Sequence, residues 1–103
     1  MDHREVYLNY INGKWKQGSS GQWTDNRNPA KPLEVLGKAT VSTQLDVEEA
    51  IRCAQKAQEE WARKPRPVRG QILEKVAYIL RHKTDSFAKT LTREEGKNVA
   101  EAK

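Results

Sequence analysis

Apolar residues recur at helical spacing through the second half of the chain. In residues 68–80 they occupy positions 68, 72, 73, 76, 79 and 80, the spacing of a helix that buries one side. A preceding segment repeats this spacing, with one apolar face made of Val47, Ala50, Ile51, Ala54 and Trp61. Pro65-Arg66-Pro67 separates the two segments. The pattern therefore predicts two amphipathic helices whose apolar faces need a covering surface.

Capping residues mark the helix boundaries. Thr43 followed by Asp46 has the spacing of a capping box, so the first helix should begin just after Thr43. The second helix should run from residue 68 to about residue 83. Thr84 is predicted to cap a third helix, and Gly96 to end it in the left-handed conformation that glycine adopts easily.

A last helix is predicted to begin at Asn98, which has the side chain of an N-cap. Only five residues follow it, and about one turn of helix has no stability of its own. We therefore expect the chain to be a fragment of a longer protein, with its last helix truncated.

Period-two alternation in residues 6–11 predicts a strand. Asn12-Gly13 suits a two-residue hairpin turn, after which residues 14–17 should return antiparallel. A second turn at 18–21 and a further strand at 22–27 complete a predicted meander.

Two prolines then predict a connection. Asn28-Pro29 and Lys31-Pro32 favour extended, non-helical backbone. A short strand is expected at 34–41, with Val35, Gly37 and alternate residues on one face, and Gly37 marks a close backbone approach. The predicted fold class is α/β (α+β within this segment). It comprises a disordered leader at 1–5, a β-rich part at 6–41, and three to four packed helices at 44–103.

Composition restricts the class of protein. The chain has 103 residues, 36% of them hydrophobic, so it forms one domain at most and has little apolar material for a core. One cysteine excludes an internal disulfide framework and favours a reducing compartment. We find no apolar run long enough to span a membrane and no signal peptide, so we expect a cytoplasmic protein with no membrane partner.

The net charge of +5 raises a nucleic-acid alternative. Its strongest support is the basic run at Arg63, Lys64, Arg66 and Arg69. Two prolines interrupt the run and no aromatic residue interleaves it, so a solvated loop is the favoured interpretation and no nucleic-acid partner is expected. A small basic module that binds nucleic acid or an acidic protein stays an alternative, as does a module that oligomerises through its helices.

No residue is predicted to be catalytic, cofactor-binding or metal-binding. Cys53 has no histidine or acidic partner placed to activate it. His3 and His82 have no companion at metal-ligand spacing. Glu94 and Glu95 diverge by about 100° on a helix, so they cannot face one substrate together. The three tryptophans are expected to close a small core.

An ordered set of short motifs extends over residues 7–103. The motifs are Tyr10-Ile11-Asn12-Gly13-Lys14-Trp15, Asn28-Pro29-Ala30, Asp46-Val47 with Ala50 and Trp61, Arg69 with Leu73 and Ala77, and Glu94-Glu95-Gly96-Lys97 followed by Glu101-Ala102. No motif is specific alone, but their order and spacing resemble the N-terminal region of the aldehyde dehydrogenase superfamily.

The resemblance implies a parent enzyme that oxidises an aldehyde to a carboxylic acid with NAD or NADP. In the family a cysteine thiolate attacks the aldehyde, and a glutamate activates the water that hydrolyses the thioester. Those residues and the main cofactor-binding loop lie beyond this segment. The resemblance therefore implies that this chain is part of the NAD(P)-binding domain, is inactive alone and binds no cofactor. Its implied partner is the remainder of the parent chain. The parent enzyme is implied to be a homo-oligomer and to bind a small aldehyde as its substrate.

Overall fold

Five strands precede four helices in the computed structural model, which describes residues 5–103. The strands are Glu5–Tyr7 (β1), Asn9–Ile11 (β2), Lys14–Lys16 (β3), Trp23–Asn28 (β4) and Lys31–Thr40 (β5). The helices are Gln44–Arg63 (α1), Arg66–His82 (α2), Thr84–Glu95 (α3) and Val99–Ala102 (α4). The α/β class is confirmed. The predicted leader was one residue too long, because Glu5 begins β1, and its residues 1–4 lie outside the described range.

The predicted hairpin is present. Strands β2 and β3 pair antiparallel, with Ile11 opposite Lys14 across a two-residue turn. Asn12 and Gly13 have φ angles of 54° and 75°, the positive values that this turn requires.

The expected single strand over residues 6–11 was wrong, because the chain divides at Leu8. Strand β1 pairs parallel with β5, whereas β2 belongs to the two-stranded hairpin. Alternation of side chains indicates extended backbone, but it carries no information about the pairing partner. A single alternating run therefore serves two sheets.

Strand β5 is the centre of the larger sheet, whose order is β1-β5-β4. The short strand meander is confirmed, with β4 pairing antiparallel with β5 rather than with β3. The connection expected through Lys31-Pro32 was wrong, since β5 already begins at Lys31. The register shifts on either side of Arg27 make pairing irregular here, which accommodates a proline that has no N–H to donate.

Burial is concentrated in the strands. Ile11, Leu36 and Ala88 are the buried hydrophobic residues in the described part of the chain, with Leu36 only 4% exposed. The predicted inward face of β5 omitted Leu36, which lies on the opposite face from Gly37, and both residues are buried. A central strand covered on two faces carries buried residues at successive positions, so alternation alone misses half of them.

Most predicted helix ends are confirmed within a residue or two. Thr43 is the N-cap of α1, and its backbone N–H donates to the Asp46 carboxylate at 2.8 Å. Gly96 ends α3 with a φ of 78°. Asn98 caps α4, its side-chain oxygen accepting from the Glu101 N–H at 2.9 Å.

Two helix starts differ from the prediction. Helix α2 begins at Arg66, two residues early, because Pro67 falls in the first turn, where a missing N–H costs nothing. Thr84 is not an N-cap but the first residue of α3. Its hydroxyl donates back to the Arg81 carbonyl of α2 at 2.8 Å, and Lys83 takes the cap position.

Candidate functional site

An uncovered row of apolar side chains lies along α2. We call it the α2 stripe, and each of its members is between 38% and 62% exposed. It consists of Val68, Ile72, Leu73, Val76, Ile79 and Leu80. Helix α2 has no buried residue over its whole length. The α2 stripe is therefore an apolar helix face without a covering surface, as the spacing of apolar residues predicted.

The remainder of α2 is polar. A shallow depression of about 580 Å³ on it is lined by Gln71, Glu74, Lys75, Tyr78 and Arg81. The helix thus has one side suited to water and one side suited to a protein interior. An amphipathic helix with its apolar side in solvent lacks the surface that its sequence is built to contact.

Arg69 lies within the arc of the α2 stripe and is half-buried. Its Nε atom is buried and has no hydrogen-bond partner among the described residues. A buried guanidinium N–H without an acceptor is unfavourable, since desolvation is not compensated. Sequence reasoning placed this arginine in a solvated basic run and did not anticipate its position.

Helix α1 is also largely uncovered. It has no buried residue, and Leu45, Val47 and Ile51 are all more than half exposed. Its small side chains flank the hairpin, where Ile11 and Cys53 help to line a cleft of about 330 Å³. The hairpin thus covers only part of the apolar face of α1.

The exposed area confirms how much surface is uncovered. The chain exposes 8519 Å², whereas a compact folded protein of 11.8 kDa exposes about 5,900 Å². The excess is therefore about 2,600 Å². The radius of gyration is 17.3 Å, against about 13 Å for a compact domain of this length.

A polar clasp joins the second turn to the start of α1. Asp46 accepts hydrogen bonds from the Ser19 N–H at 2.9 Å and the Ser19 hydroxyl at 3.1 Å, in addition to the Thr43 N–H. The backbone donors of Thr43 and Ser19 hold the pKa of the Asp46 carboxyl below its ordinary value. Sequence reasoning found the cap at Asp46 but not its second partner, because Ser19 is remote along the chain.

A salt bridge adds to this junction. Lys16 of β3 donates to Glu49 of α1 at 2.6 Å. The hydrogen bond that the Glu49 carboxylate accepts from Lys16 raises the pKa of the Lys16 ammonium. Both side chains are partly exposed, so the pair orients the hairpin on α1 more than it stabilises it.

A second set of contacts joins the larger sheet to α3. The Asn26 side chain of β4 donates to the Glu94 carboxylate at 2.7 Å. Gly96 lies against the Pro29-Ala30 turn, where an added Cβ would stand 3.4 Å from the Ala30 Cβ. These contacts fix the C-terminal end of α3 on the sheet.

The titratable residues considered for chemistry are not brought together. Cys53 is a half-buried thiol on α1. Glu94 contacts Asn26, whereas Glu95 contacts Lys97 at 3.4 Å, so the two carboxylates face different partners. His82 lies at the end of α2, with Nδ1 3.0 Å from the Tyr78 carbonyl oxygen. His3 is outside the described residues.

Within residues 5–103, no group of three or more His, Cys, Asp or Glu side chains is arranged to hold a metal ion. In the same range, no helix is long and apolar enough to cross a membrane.

The arrangement of the aromatic and basic residues is not that of a nucleic-acid-binding surface. The expectation that the tryptophans close a core was wrong for Trp15, which is 69% exposed and packs on Tyr10 with ring centroids 4.8 Å apart.

The basic run is divided between the end of α1 and the start of α2, and Arg69 lies within the arc of the α2 stripe. No observation in the described chain favours the nucleic-acid alternative.

The comparisons with known proteins identify the family. The model of the aldehyde dehydrogenase family matches residues 15–103. The chain is 38% identical over 103 residues to the alpha-ketoglutaric semialdehyde dehydrogenase of Bacillus subtilis (strain 168), covering 100% of this chain and 21% of the relative. A malonate-semialdehyde dehydrogenase of Bacillus velezensis is 38% identical over 94 residues, or 91% of this chain and 19% of the relative. The chain belongs to the aldehyde dehydrogenase family.

Solved structures agree with this assignment. A 3,6-anhydro-L-galactose dehydrogenase in complex with NAP superposes with a TM-score of 0.90 at 32% identity, covering 95% of this chain and 20% of that one. A betaine aldehyde dehydrogenase mutant from Staphylococcus aureus in complex with NAD+ superposes with a TM-score of 0.88 at 27% identity, covering 92% of this chain and 19% of that one. The chain spans about a fifth of the length of the relatives that it matches.

Proposed function

We propose that residues 1–103 are the N-terminal part of the NAD(P)-binding domain of an aldehyde dehydrogenase, and that their role is architectural. The main support is the uncovered α2 stripe, which lies on a chain that spans only about a fifth of the length of its relatives. A segment of a larger fold is expected to expose the surface that its missing neighbours cover.

The parent enzyme would oxidise an aldehyde to a carboxylic acid, with NAD or NADP accepting the hydride. The nucleophilic cysteine and the general base would lie outside this chain. Cys53 is not assigned as that nucleophile, since within residues 5–103 it has neither a base nor a cation in hydrogen-bond contact. We expect the parent to act in the cytoplasm as a homo-oligomer, with the rest of its own chain as this segment's partner.

The glycines of this chain do not fit a dinucleotide cradle. Such a cradle needs closely spaced glycines between a strand and a helix N-terminus. Here Gly13 forms the hairpin turn, and the closely spaced pair Gly18 and Gly21 bounds a turn that leads into strand β4 and not into a helix. Gly37 lies inside β5, Gly70 is within α2 and Gly96 ends α3. We therefore propose that this chain supports the cofactor-binding fold without contacting the phosphates.

A chimera tests this proposal. The matched segment of the Bacillus subtilis relative would be replaced by residues 1–103, and oxidation of α-ketoglutaric semialdehyde would be followed by cofactor reduction. We expect activity in the chimera and none from the isolated chain. The same enzyme without the segment is the control. Turnover by the isolated chain, or a folded chimera without activity, would contradict the proposal.

A further inference from the structure

The Asn12-Gly13 pair carries a chemistry that its role as a turn does not use. Asn12 is the one asparagine of this sequence that a glycine follows, and both residues are exposed. The backbone nitrogen that follows an asparagine can attack the amide carbon of the asparagine side chain. A following glycine favours this attack, because it has no Cβ to hinder the approach. The turn is therefore a place where the chain can modify itself.

The reaction needs water as its only co-reactant. The Gly13 backbone nitrogen loses its proton and bonds to Cγ of Asn12, the Cγ–Nδ2 bond breaks, and ammonia leaves. The product is a five-membered succinimide ring. Water then breaks one of the two C–N bonds of the ring. Cleavage at Cγ gives aspartate, whereas cleavage at the main-chain carbonyl carbon gives isoaspartate, whose backbone continues through Cβ and Cγ.

The folded turn keeps the reacting atoms apart. The φ angles of 54° at Asn12 and 75° at Gly13 are those of a type I′ turn, in which ψ of the first central residue is about +30°. Ring closure requires Cβ of Asn12 and the Gly13 nitrogen to be eclipsed about the Cα–C bond. At the ψ of this turn they lie on nearly opposite sides of that bond. The closed hairpin therefore cannot form the succinimide.

Opening of the hairpin is the step that permits the reaction. The hairpin is held by the pairing of β2 with β3, by Ile11, which is 9% exposed, and by the ion pair between Lys16 and Glu49 of α1. A two-stranded hairpin is marginally stable by itself, so its contacts with α1 decide how often it opens. Loss of those contacts frees Asn12 to rotate.

The two products affect the hairpin differently. Aspartate followed by glycine is a pair that the same turn accepts. Isoaspartate lengthens the backbone of the turn by one methylene group, so the two-residue loop that sets Ile11 opposite Lys14 is lost. A change of register would turn the buried Ile11 side chain away from α1. An isoaspartyl turn is thus incompatible with the packed hairpin.

We propose that Asn12-Gly13 is a self-modifying site, at which opening of the β2–β3 hairpin leads to isoaspartate and isoaspartate prevents the hairpin from packing again on α1. The site converts a reversible opening into an irreversible covalent change. The inference is independent of the proposed function, because every contact that it uses lies within this chain.

Peptide mass spectrometry, with chromatographic separation of aspartyl and isoaspartyl forms, tests the site. The full 103-residue chain is incubated in buffer and in denaturing urea at the same mildly alkaline pH. In urea we expect Asn12 to be converted before every other asparagine. In buffer its conversion should be at least about tenfold slower than in urea. Equal rates in buffer and urea, or earlier conversion of another asparagine in urea, would overturn the proposal.

A variant of α1 tests whether opening controls the rate. Glu49→Gln removes the ion pair with Lys16 and should raise the rate in buffer by about two- to fivefold, without changing the rate in urea. Glu59→Gln, on the same helix, is the matched control and should change neither rate. Equal rates for the two variants in buffer would show that contact with α1 does not control the reaction, and would overturn the inference.

The separated products test the consequence. NMR contacts between the rings of Tyr10 and Trp15, whose centroids are 4.8 Å apart, report the closed hairpin. We expect the aspartyl form and the Asn12→Asp variant to keep these contacts, and the isoaspartyl form to lose them. An isoaspartyl chain that retains the contacts would show that the modification leaves the hairpin in place, which is the contrary result.

Discussion

The strand region and the helical region of this chain differ in where their stability originates. Residues 5–40 include Ile11, Gly18, Asn28, Leu36 and Gly37 as buried positions, whereas residues 44–103 include only Ala88 among those described. The strands are held by pairing and by polar clasps between remote residues. The helices are held mainly by their own backbone hydrogen bonds and caps, which provide marginal stability without tertiary packing. A long, well-formed helix is thus no evidence of a complete domain.

The largest consequence concerns the isolated chain. We expect its helical region to lack fixed side-chain packing or to self-associate, because the α2 stripe has no neighbour to cover it. Amide NMR of a dilute sample should show broad or poorly dispersed helix signals beside sharper signals from β4 and β5. Sharp, dispersed signals from both regions of a monomer would remove the contrast.

Substitution of Gly37 should damage the strand region most. A Cβ at this position would clash with the Glu5 carbonyl oxygen and stand 2.7 Å from the Tyr7 ring, so β1 and β5 would have to separate. We expect Gly37→Ala to lower the free energy of unfolding by about 1–3 kcal/mol, as overpacking does. Urea unfolding followed by tryptophan fluorescence measures this loss. An unchanged midpoint would show that β1 contributes nothing to the sheet.

The Asp46 clasp should make stability depend on pH. The folded pKa of Asp46 lies below its ordinary value, so its contribution is present above that ordinary value, near pH 3.9, and is lost as the pH falls through the folded pKa. Asp46→Asn should lower the Tm at pH 7 by less than Gly37→Ala does, and should reduce the fall in Tm between pH 5 and pH 3.

The control is Glu59→Gln on the exposed side of α1. Some acid dependence will persist in the Asp46 variant, because the hydrogen bond from Lys103 also lowers the pKa of Asp85. Identical pH profiles for the Asp46 and Glu59 variants would contradict a stabilising clasp.

Gly96 tests the junction of the two regions. Its φ of 78° is costly for any residue with a Cβ. Gly96→Ala should therefore destabilise the chain by about 1 kcal/mol and loosen α3 from the Pro29-Ala30 turn. Circular dichroism during urea unfolding gives the value, and a stabilising effect would be the contrary result.

The smallest effect is expected at Gly70, in the middle of α2. An added Cβ there meets no atom within 4 Å. Gly70→Ala should stabilise α2 by about 0.5–1 kcal/mol, because alanine loses less backbone entropy in a helix. Helix content measured by circular dichroism should rise. A loss of helix content would imply that the polar side of α2 has a close neighbour.

Local features of the fold were predictable because neighbouring residues decide them. The turn at Asn12-Gly13, the cap at Thr43 and the helix end at Gly96 each depend on side chains within a few positions. The strand partners were not predictable in this way. Leu8 divides one alternating run between two sheets, and β1 pairs with β5, a strand that is remote from it in the chain.

The candidate site was predictable only in part. Helical periodicity identified the α2 stripe, because the spacing of apolar residues determines which side of a helix avoids water. It did not identify Arg69 as a residue of that stripe, nor Ser19 as the partner of Asp46. The angular position of Arg69 follows from the same helical spacing, whereas the burial of its Nε and the contact between Ser19 and Asp46 depend on how the chain folds.

The sequence by itself determined the helices, their caps, the hairpin turn and the family, since each is encoded in short-range patterns and their order. The tertiary structure decided which strands pair, where the clasps form and how much apolar surface stays uncovered. The physical reason is that pairing and burial are long-range: they bring together residues whose separation along the chain carries no local signal.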